Sequence, residues 1–511
     1  MALATIHIEP ERRNDVALAD ERTTLNWAEL DPYLNRATNA MLCISPKVRR
    51  ISICALNSVE AVIVYTAALQ AGISSTPTSY HFKAAEIAHI LSDSGSSVLF
   101  VGPETVDAGL EAARLAGCKT VIGWRCKSRP GLICWEEWLA AADVNAPPTD
   151  LKPAPHLHYT SGTTGKPKAV ETPPTQLPRT ATVAELVEWL HARRLPSPGL
   201  VVGPNYHTGP LTTIRGLLAG SALILLESFD AEKVLATIEQ YSIASVVMVP
   251  THFQRLLALP PVVRAKYDIS SLERLSHTGA ACPAAVKRQM IEWFGPVLYE
   301  AYGGTEIGAT NVIDSEEWLR KPGSVGKAVP PYEVLIVDSE GTELGPNKTG
   351  QIYFRDATRR GIVYFNDARK TAEANITPGV CTLGDVGYVD SEGYLFITDR
   401  IADMVVSGGV NIYPAEAEQV LLKHPKVADV AIIGVPHVEM GEEVKALIVP
   451  SDLQAPPTEE ELNLFCRSFL AGYKCPRSYE MIADLGRSVM DKLDKRKLRQ
   501  RYWPTDRTIG G

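Results

Sequence analysis

Tyr159-Thr-Ser-Gly-Thr-Thr-Gly-Lys-Pro-Lys168 is rich in hydroxyls, holds two glycines and carries two lysines. That chemistry suits a polyanion, because unshielded backbone N–H groups, hydroxyl donors and cationic ends converge on phosphate oxygens. A Walker A loop is excluded: it needs Gly-x-x-x-x-Gly-Lys-Ser/Thr opening a helix, whereas here Gly162 and Gly165 are closer together and Pro167 follows Lys166. On composition alone the stretch reads equally well as a linker, since Ser, Thr, Gly and Pro clusters are commonly loops.

Around this loop, strand and helix patterns alternate. Upstream, residues 23–42 place Trp27, Leu30, Leu34 and Ala37 at helical spacing behind a Thr/Asn start. Residues 50–56 and 97–101 read as strands, 58–70 and 84–92 as helices, the first stopped at Gly72. Downstream, helices are expected at 182–193, 231–241 and 251–259. Strands are expected at 222–226 and 245–249, and a buried strand from Leu200 ends in a loop reaching Gly209. Such alternation predicts an α/β fold, parallel sheet flanked by helices, with ligands at the carboxyl ends of strands. From Val325 short strands and turns predict a small β subdomain. Beyond residue 400, a helix at 414–423, strands at 427–435 and 444–449 and a helix within 459–470 predict a smaller α+β domain. The expected division is a large N-terminal domain, 1–399, and a mobile C-terminal domain, 400–511.

Composition limits the function classes. A chain of 511 residues exceeds one ordinary core, so more than one domain is required. A hydrophobic share of 45% with 22% charged is that of a globular protein. The net charge of −8 argues against nucleic acid or an anionic membrane as partner. No apolar run reaches the ~18 residues that span a bilayer; the nearest, 51–73, is interrupted by Asn57 and Glu60. Glu9, Glu11, Arg12 and Arg13 precede any apolar core, so no secretory leader is expected. Nine cysteines, an odd number with no Cys-x-x-Cys pair, point away from a zinc site or disulfide framework and towards reduced thiols in the cytoplasm.

Five further strings carry chemistry. Leu298-Tyr-Glu-Ala-Tyr-Gly-Gly-Thr-Glu306 ends a strand-like run in a hydroxyl and a carboxylate, suited to a phosphate and its Mg²⁺, or simply a turn with a solvated glutamate. His277-Thr-Gly-Ala-Ala-Cys-Pro283 is a strand-to-helix turn, and Thr382-Leu-Gly-Asp385-Val-Gly-Tyr388 a turn between strands. Ser407-Gly-Gly-Val-Asn-Ile-Tyr-Pro-Ala-Glu416 is a Gly-Gly turn entering a helix. The basic run Arg487 to Arg499 reads as a solvated helix start.

Together, and in this order, the strings resemble the signature motifs of the adenylate-forming superfamily: acyl-CoA synthetases, aryl-CoA ligases, peptide-synthetase adenylation domains and luciferases. The resemblance covers nearly the whole chain. It implies ATP held by Thr160, Ser161, Gly162, Thr163, Thr164, Gly165 and Lys166, with Gly279, Ala280 and Ala281 as a wall beside adenine. By the same resemblance Tyr302 stacks on the adenine between Ala301 and Gly303, Glu300 lies near its amino edge, Thr305 touches the α-phosphate and Glu306 binds Mg²⁺. Asp385 and Arg400 hold the ribose. Lys492 is the catalytic lysine bridging the acid's carboxylate and the α-phosphate. His207 is implied as a carboxylate-positioning group beside an acid pocket of Tyr206, Gly209, His277, Gly303 and Gly304, the adjacent glycines hinting at room for a bulky or long acid. Ser407, Gly408 and Gly409 are implied to line the tunnel of the incoming nucleophile.

The chain departs from the family pattern in two places: Asp491 stands where glycine precedes the catalytic lysine, and Ala402 takes the usual hinge position. The implied activity is an ATP-dependent carboxylic acid ligase that forms an acyl-adenylate, releases pyrophosphate and passes the acyl group to coenzyme A. The alternatives are a stand-alone amide synthetase using an amine or amino acid, and a non-catalytic ATP-binding relative.

Overall fold

The strand Arg50–Cys54, buried at all but its first position, is an inner strand of a parallel five-stranded sheet in the computed structural model. Ser74–Thr78 and Val98–Val101 flank it, and Thr120–Gly123 and Ile133–Cys134 follow. The structure describes residues 3–44, 48–160, 168–400, 403–407, 410–437, 440–470, 472–487 and 493–503. Ser161, Gly162, Thr163, Thr164, Gly165, Lys166, Ala402, Gly408, Gly409, Asp491 and Lys492 lie outside them, as does the side chain of Arg400.

The helix Val59–Gln70 begins where the Ser58 hydroxyl accepts the Ala61 N–H. All its residues except Glu60 are buried. A helix apolar all round belongs in an interior, and this one shares a core with a second sheet through Leu18, Val201 and Leu223. That sheet has nine strands in the order Lys327–Ala328, Gly308–Asp314, Leu298–Gly304, Arg274–His277, Ser245–Met248, Gly199–Val201, Leu223–Leu225, Val16–Ala19 and Thr24–Asn26. Its inner strands are parallel, and antiparallel pairs close both edges.

Three expectations are corrected. The helix expected over 23–42 begins at Trp27, and Thr24–Asn26 is an edge strand. Asn26 accepts the Glu29 N–H at 2.8 Å while the Glu29 carboxylate accepts the Asn26 N–H at 2.9 Å, so a reciprocal cap starts the helix there. The loop expected through Gly209 is short, because His207 already stands at the start of the helix Thr208–Ile214. Within the β subdomain lies the unexpected helix Ala368–Ala374, where Asp367 accepts the Lys370 N–H at 2.9 Å.

The β subdomain is a six-stranded antiparallel sheet running from Tyr332–Val337 to Leu395–Arg400. A last sheet pairs Val427–His437 with Gly441–Pro450, adds Val405–Ser407, Val410–Ile412 and Ser478–Met481, and shares its core with the helices Pro414–Leu421 and Glu459–Arg467. The whole is the expected α/β architecture with a small β subdomain and a smaller α+β part. No helix among the described residues is long and apolar enough to cross a membrane.

Candidate active site

The strands Gly199–Val201, Ser245–Met248, Arg274–His277 and Leu298–Gly304 are parallel neighbours, so the segments after them open on one end of the sheet. This brings His207, the turn Thr278–Ala281 and Thr305–Glu306 together. Thr278 donates its hydroxyl to the Ala301 carbonyl at 2.8 Å, tying the turn to the adjacent strand end. Gly279 has φ +89°, a left-handed conformation that side chains rarely adopt.

From the β subdomain, the strand Asp385–Val389 reaches the same place. The Tyr302 hydroxyl donates to Asp385 Oδ2 at 2.5 Å, and Asp385 faces Arg400 across the antiparallel ladder. Three of the implied nucleotide residues, far apart in sequence, are thereby adjacent.

The phosphate loop is the connection of a hairpin, Leu157–Thr160 with Lys168–Glu171, whose register sets Thr160 opposite Lys168. Next to it lies a segment that the sequence motifs did not single out. Val170 bridges Tyr364, and the Phe365 N–H donates to the Ala169 carbonyl at 2.8 Å. The Tyr364 hydroxyl is then 3.4 Å from Glu306 Oε1, and Lys370 lies over the Tyr364 ring at 4.2 Å. Burial and the neighbouring Lys168 push the Lys370 ammonium down to about 8, Glu306 opposing. Burial first and Glu306 second hold the Tyr364 phenol above its ordinary range. The only available signal for Lys370 was the capping Asp367 ahead of it. Thr305 completes this edge with a hydroxyl contact to Thr208 at 3.1 Å.

His207 is held from below. Asn57, just beyond the strand Arg50–Cys54 of the first sheet, donates to the carbonyls of Gly203 at 3.0 Å and Leu226 at 2.9 Å and accepts the Asn205 N–H at 3.0 Å. Asn205 returns donors to the carbonyls of Ala55 and Leu56. Tyr206 packs edge-on to Tyr80 at 5.5 Å. The strand Val405–Ser407, in which Ser407 is buried, ends opposite Val410 and Gly441.

Two implied roles do not match the geometry. His277 is completely buried against Phe253, with burial pushing its imidazole down to about 4, and offers no surface to an acid. Glu300 is buried with its Oε2 2.6 Å from Lys287 Nζ, an ion pair that the motif string did not reveal because Lys287 lies on the preceding helix, Ala284–Phe294. Nor do the adjacent glycines open space. A Cβ on Gly303 would stand 1.9 Å from the Gly308 carbonyl oxygen, and one on Gly304 would meet Leu383 at 2.8 Å.

Among the described residues no cluster of three or more His, Cys, Asp or Glu side chains is arranged to hold a metal ion. Glu306 alone fits the usual Mg²⁺ arrangement, in which one carboxylate and substrate phosphates share the ion with waters.

The family model of the AMP-binding enzyme matches residues 8–359, and that of the AMP-binding enzyme C-terminal domain matches residues 416–490. The chain belongs to the AMP-binding enzyme family. This AMP-binding enzyme is 33% identical over 493 residues to a feruloyl-CoA synthase of Amycolatopsis sp, the match covering 94% of each chain. Its structure is similar to that of ATP-bound MatB from Rhodopseudomonas palustris, with TM-score 0.82, 26% identity and 98% of both chains covered. The amide bond synthetase McbA from Marinactinospora thermotolerans shares the fold at TM-score 0.82 and 24% identity, over 96% of this chain and 98% of that one. The AMP-binding enzyme is therefore an ATP-dependent, AMP-forming ligase of the adenylate-forming superfamily.

Proposed function

We propose that the enzyme activates a small carboxylic acid as its acyl-adenylate and passes the acyl group to the thiol of coenzyme A. The observation that carries this reading is the meeting of Tyr302 with Asp385, Thr305 with Thr208, and Glu306 with Tyr364 at one end of the nine-stranded sheet.

The acid's carboxylate oxygen attacks the α-phosphorus of ATP, the bond from that phosphorus to the bridging oxygen breaks, and pyrophosphate leaves with the electron pair. Positioning and charge neutralisation dominate such a displacement. Lys492 neutralises the carboxylate and α-phosphate. Lys168 and Lys370 face the β- and γ-phosphates, and Thr305 donates to the α-phosphate. Mg²⁺, held by Glu306, supplies further neutralisation when bound. Tyr302, Asp385 and Arg400 hold the nucleoside against the wall at residues 279–281.

The domain boundary falls at residues 399–403. Asp399 Oδ2 accepts the Ala415 N–H at 2.9 Å, so the strand before the hinge is tied to the first helix after it. Rotation there brings Ser407 to Gly409 over the adenylate, and the thiol sulfur attacks the acyl carbon. The carbon–oxygen bond to AMP breaks, and the thiol proton leaves. The likeness to a CoA synthase over almost the whole chain favours CoA over an amine. Cysteines that form no disulfide suit the cytoplasm, where ATP and CoA are supplied.

Purified enzyme with ATP, Mg²⁺ and a panel of acids tests this. Pyrophosphate release followed by acyl-CoA is the expected outcome. Product with amines but never with CoA transfers the assignment to an amide synthetase, and no pyrophosphate with any acid removes the ligase reading.

A further inference from the structure

Between the helices Val183–His191 and Thr208–Ile214 and the nine-stranded sheet lies a cavity of about 370 Å³. Trp189 and Leu190 supply apolar wall, and three arginines, Arg193, Arg194 and Arg215, line it without a single Asp or Glu. Arg215 is the unusual one. It is 6% exposed, and its sole hydrogen bond goes from Nη2 to the Thr212 hydroxyl at 2.8 Å. Its Nη1 has no protein partner, and neither do the buried oxygens of Thr213 and Ser221 in the same wall. No carboxylate pairs with Arg215 among the described residues. Burial pulls its guanidinium down to about 10 with no anion opposing the shift. A buried cation without a counter-ion is costly, and a guanidinium fork matches a carboxylate with two parallel N–H donors.

The cavity lies beside the reaction centre. The helix Thr208–Ile214 starts at His207 and ends at Arg215, which at the helical rise separates the two by roughly 12 Å. Ala309, on the cavity wall, is the ladder partner of Gly303.

We propose that this cavity receives the tail of the acid and that Arg215 binds a second carboxylate at its far end, so that the substrate class is dicarboxylic acids, aliphatic or aromatic. The proposal rests on the ligase reading above and deepens it. Arg215 is a specificity residue, not a catalytic one, and the carboxylate being activated stays at His207 and Thr305.

The test compares matched pairs of acids of equal length, one with a terminal methyl and one with a terminal carboxylate, of roughly eight to twelve carbons to fit the helical span. Pyrophosphate release in wild type is expected to favour the dicarboxylic member by about 30-fold or more in kcat/KM. In Arg215→Met the ratio falls towards one, and in Arg215→Lys it keeps its sense but shrinks. Equal or inverse preference in wild type overturns the proposal, whatever the variants do. So does a preference that Arg215→Met leaves intact. Calorimetric binding of the same acids without ATP separates this from the ligase reading. Tighter binding of the dicarboxylic member to wild type, lost in Arg215→Met, supports the Arg215 site even if no pyrophosphate appears. No preference in binding sinks it even if other acids are adenylated.

Discussion

Asn205 and Asn57 clamp the two parallel sheets to each other: each lies in the interior, and between them they satisfy three carbonyls and an amide from the loops that end two different sheets, together with the Leu226 carbonyl. Asn57→Ala removes three buried hydrogen bonds and leaves their partners without replacement. We expect a loss of roughly 2 to 4 kcal/mol in stability, read as a lowered thermal midpoint. Adenylate formation should fall with it, because the loop carrying His207 loses its anchor. An unaltered midpoint would show that the clamp is dispensable.

Tyr302→Phe keeps the ring beside the nucleotide site and deletes only the donor to Asp385. The expected result is a roughly 2- to 10-fold rise in KM for ATP, the value of one hydrogen bond, with kcat nearly unchanged. A fall in kcat at constant KM would assign the phenol to the transition state instead.

Lys495 and Lys492 are three residues apart and are predicted to fail differently. Lys495 is 8% exposed and 2.7 Å from Glu418 Oε1; burial pulls its ammonium down, and Glu418, Asp403 and Asp399 outweigh that and raise it. Lys495→Ala therefore takes the cation from the half-buried Glu418 carboxylate, which keeps only the Ile432 N–H among the described residues, and should cost about 1 to 3 kcal/mol of stability. Lys492→Ala should leave the thermal midpoint alone and slow adenylate formation by about 100-fold or more, with ATP affinity little changed. The reverse pattern in a melting curve and a pyrophosphate assay would exchange the two assignments.

Acidification should destabilise the fold before most carboxylates titrate. Burial pushes His158 and His252 down to about 3 and His277 to about 4 from the ordinary 6.5, and holds His156 well below it. The unfolded chain binds these protons first, so the stability present above pH 6.5 is lost as pH falls from there towards 4. Each histidine contributes up to about 1.4 kcal/mol per pH unit in that window. Melting curves at matched ionic strength check this, and His277→Gln should flatten the slope by one histidine's share. An identical slope in the variant would mean that His277 protonates without unfolding.

Much of the site was legible because the adenylate-forming motifs are local strings: a hydroxyl, a carboxylate and glycines in a row specify chemistry without tertiary information. Periodicity likewise placed the helix Ala231–Tyr241 at its observed ends. The helix start at Trp27 was missed because Thr23 and Asn26 both qualify as caps, and the choice depends on a strand partner, Val16–Ala19, that only folding supplies.

By itself, the order of residues determined the α/β class, the nucleotide chemistry and the family, since these follow from short-range patterns. Tertiary structure alone decided that Glu300 is spent on Lys287, that His277 is sealed in the core, that Lys370 joins the phosphate-loop hairpin and that Arg215 is buried without an anion. Each of these depends on which side chains the sheets bring within a few ångströms, and burial and charge act through that distance, not through separation along the chain.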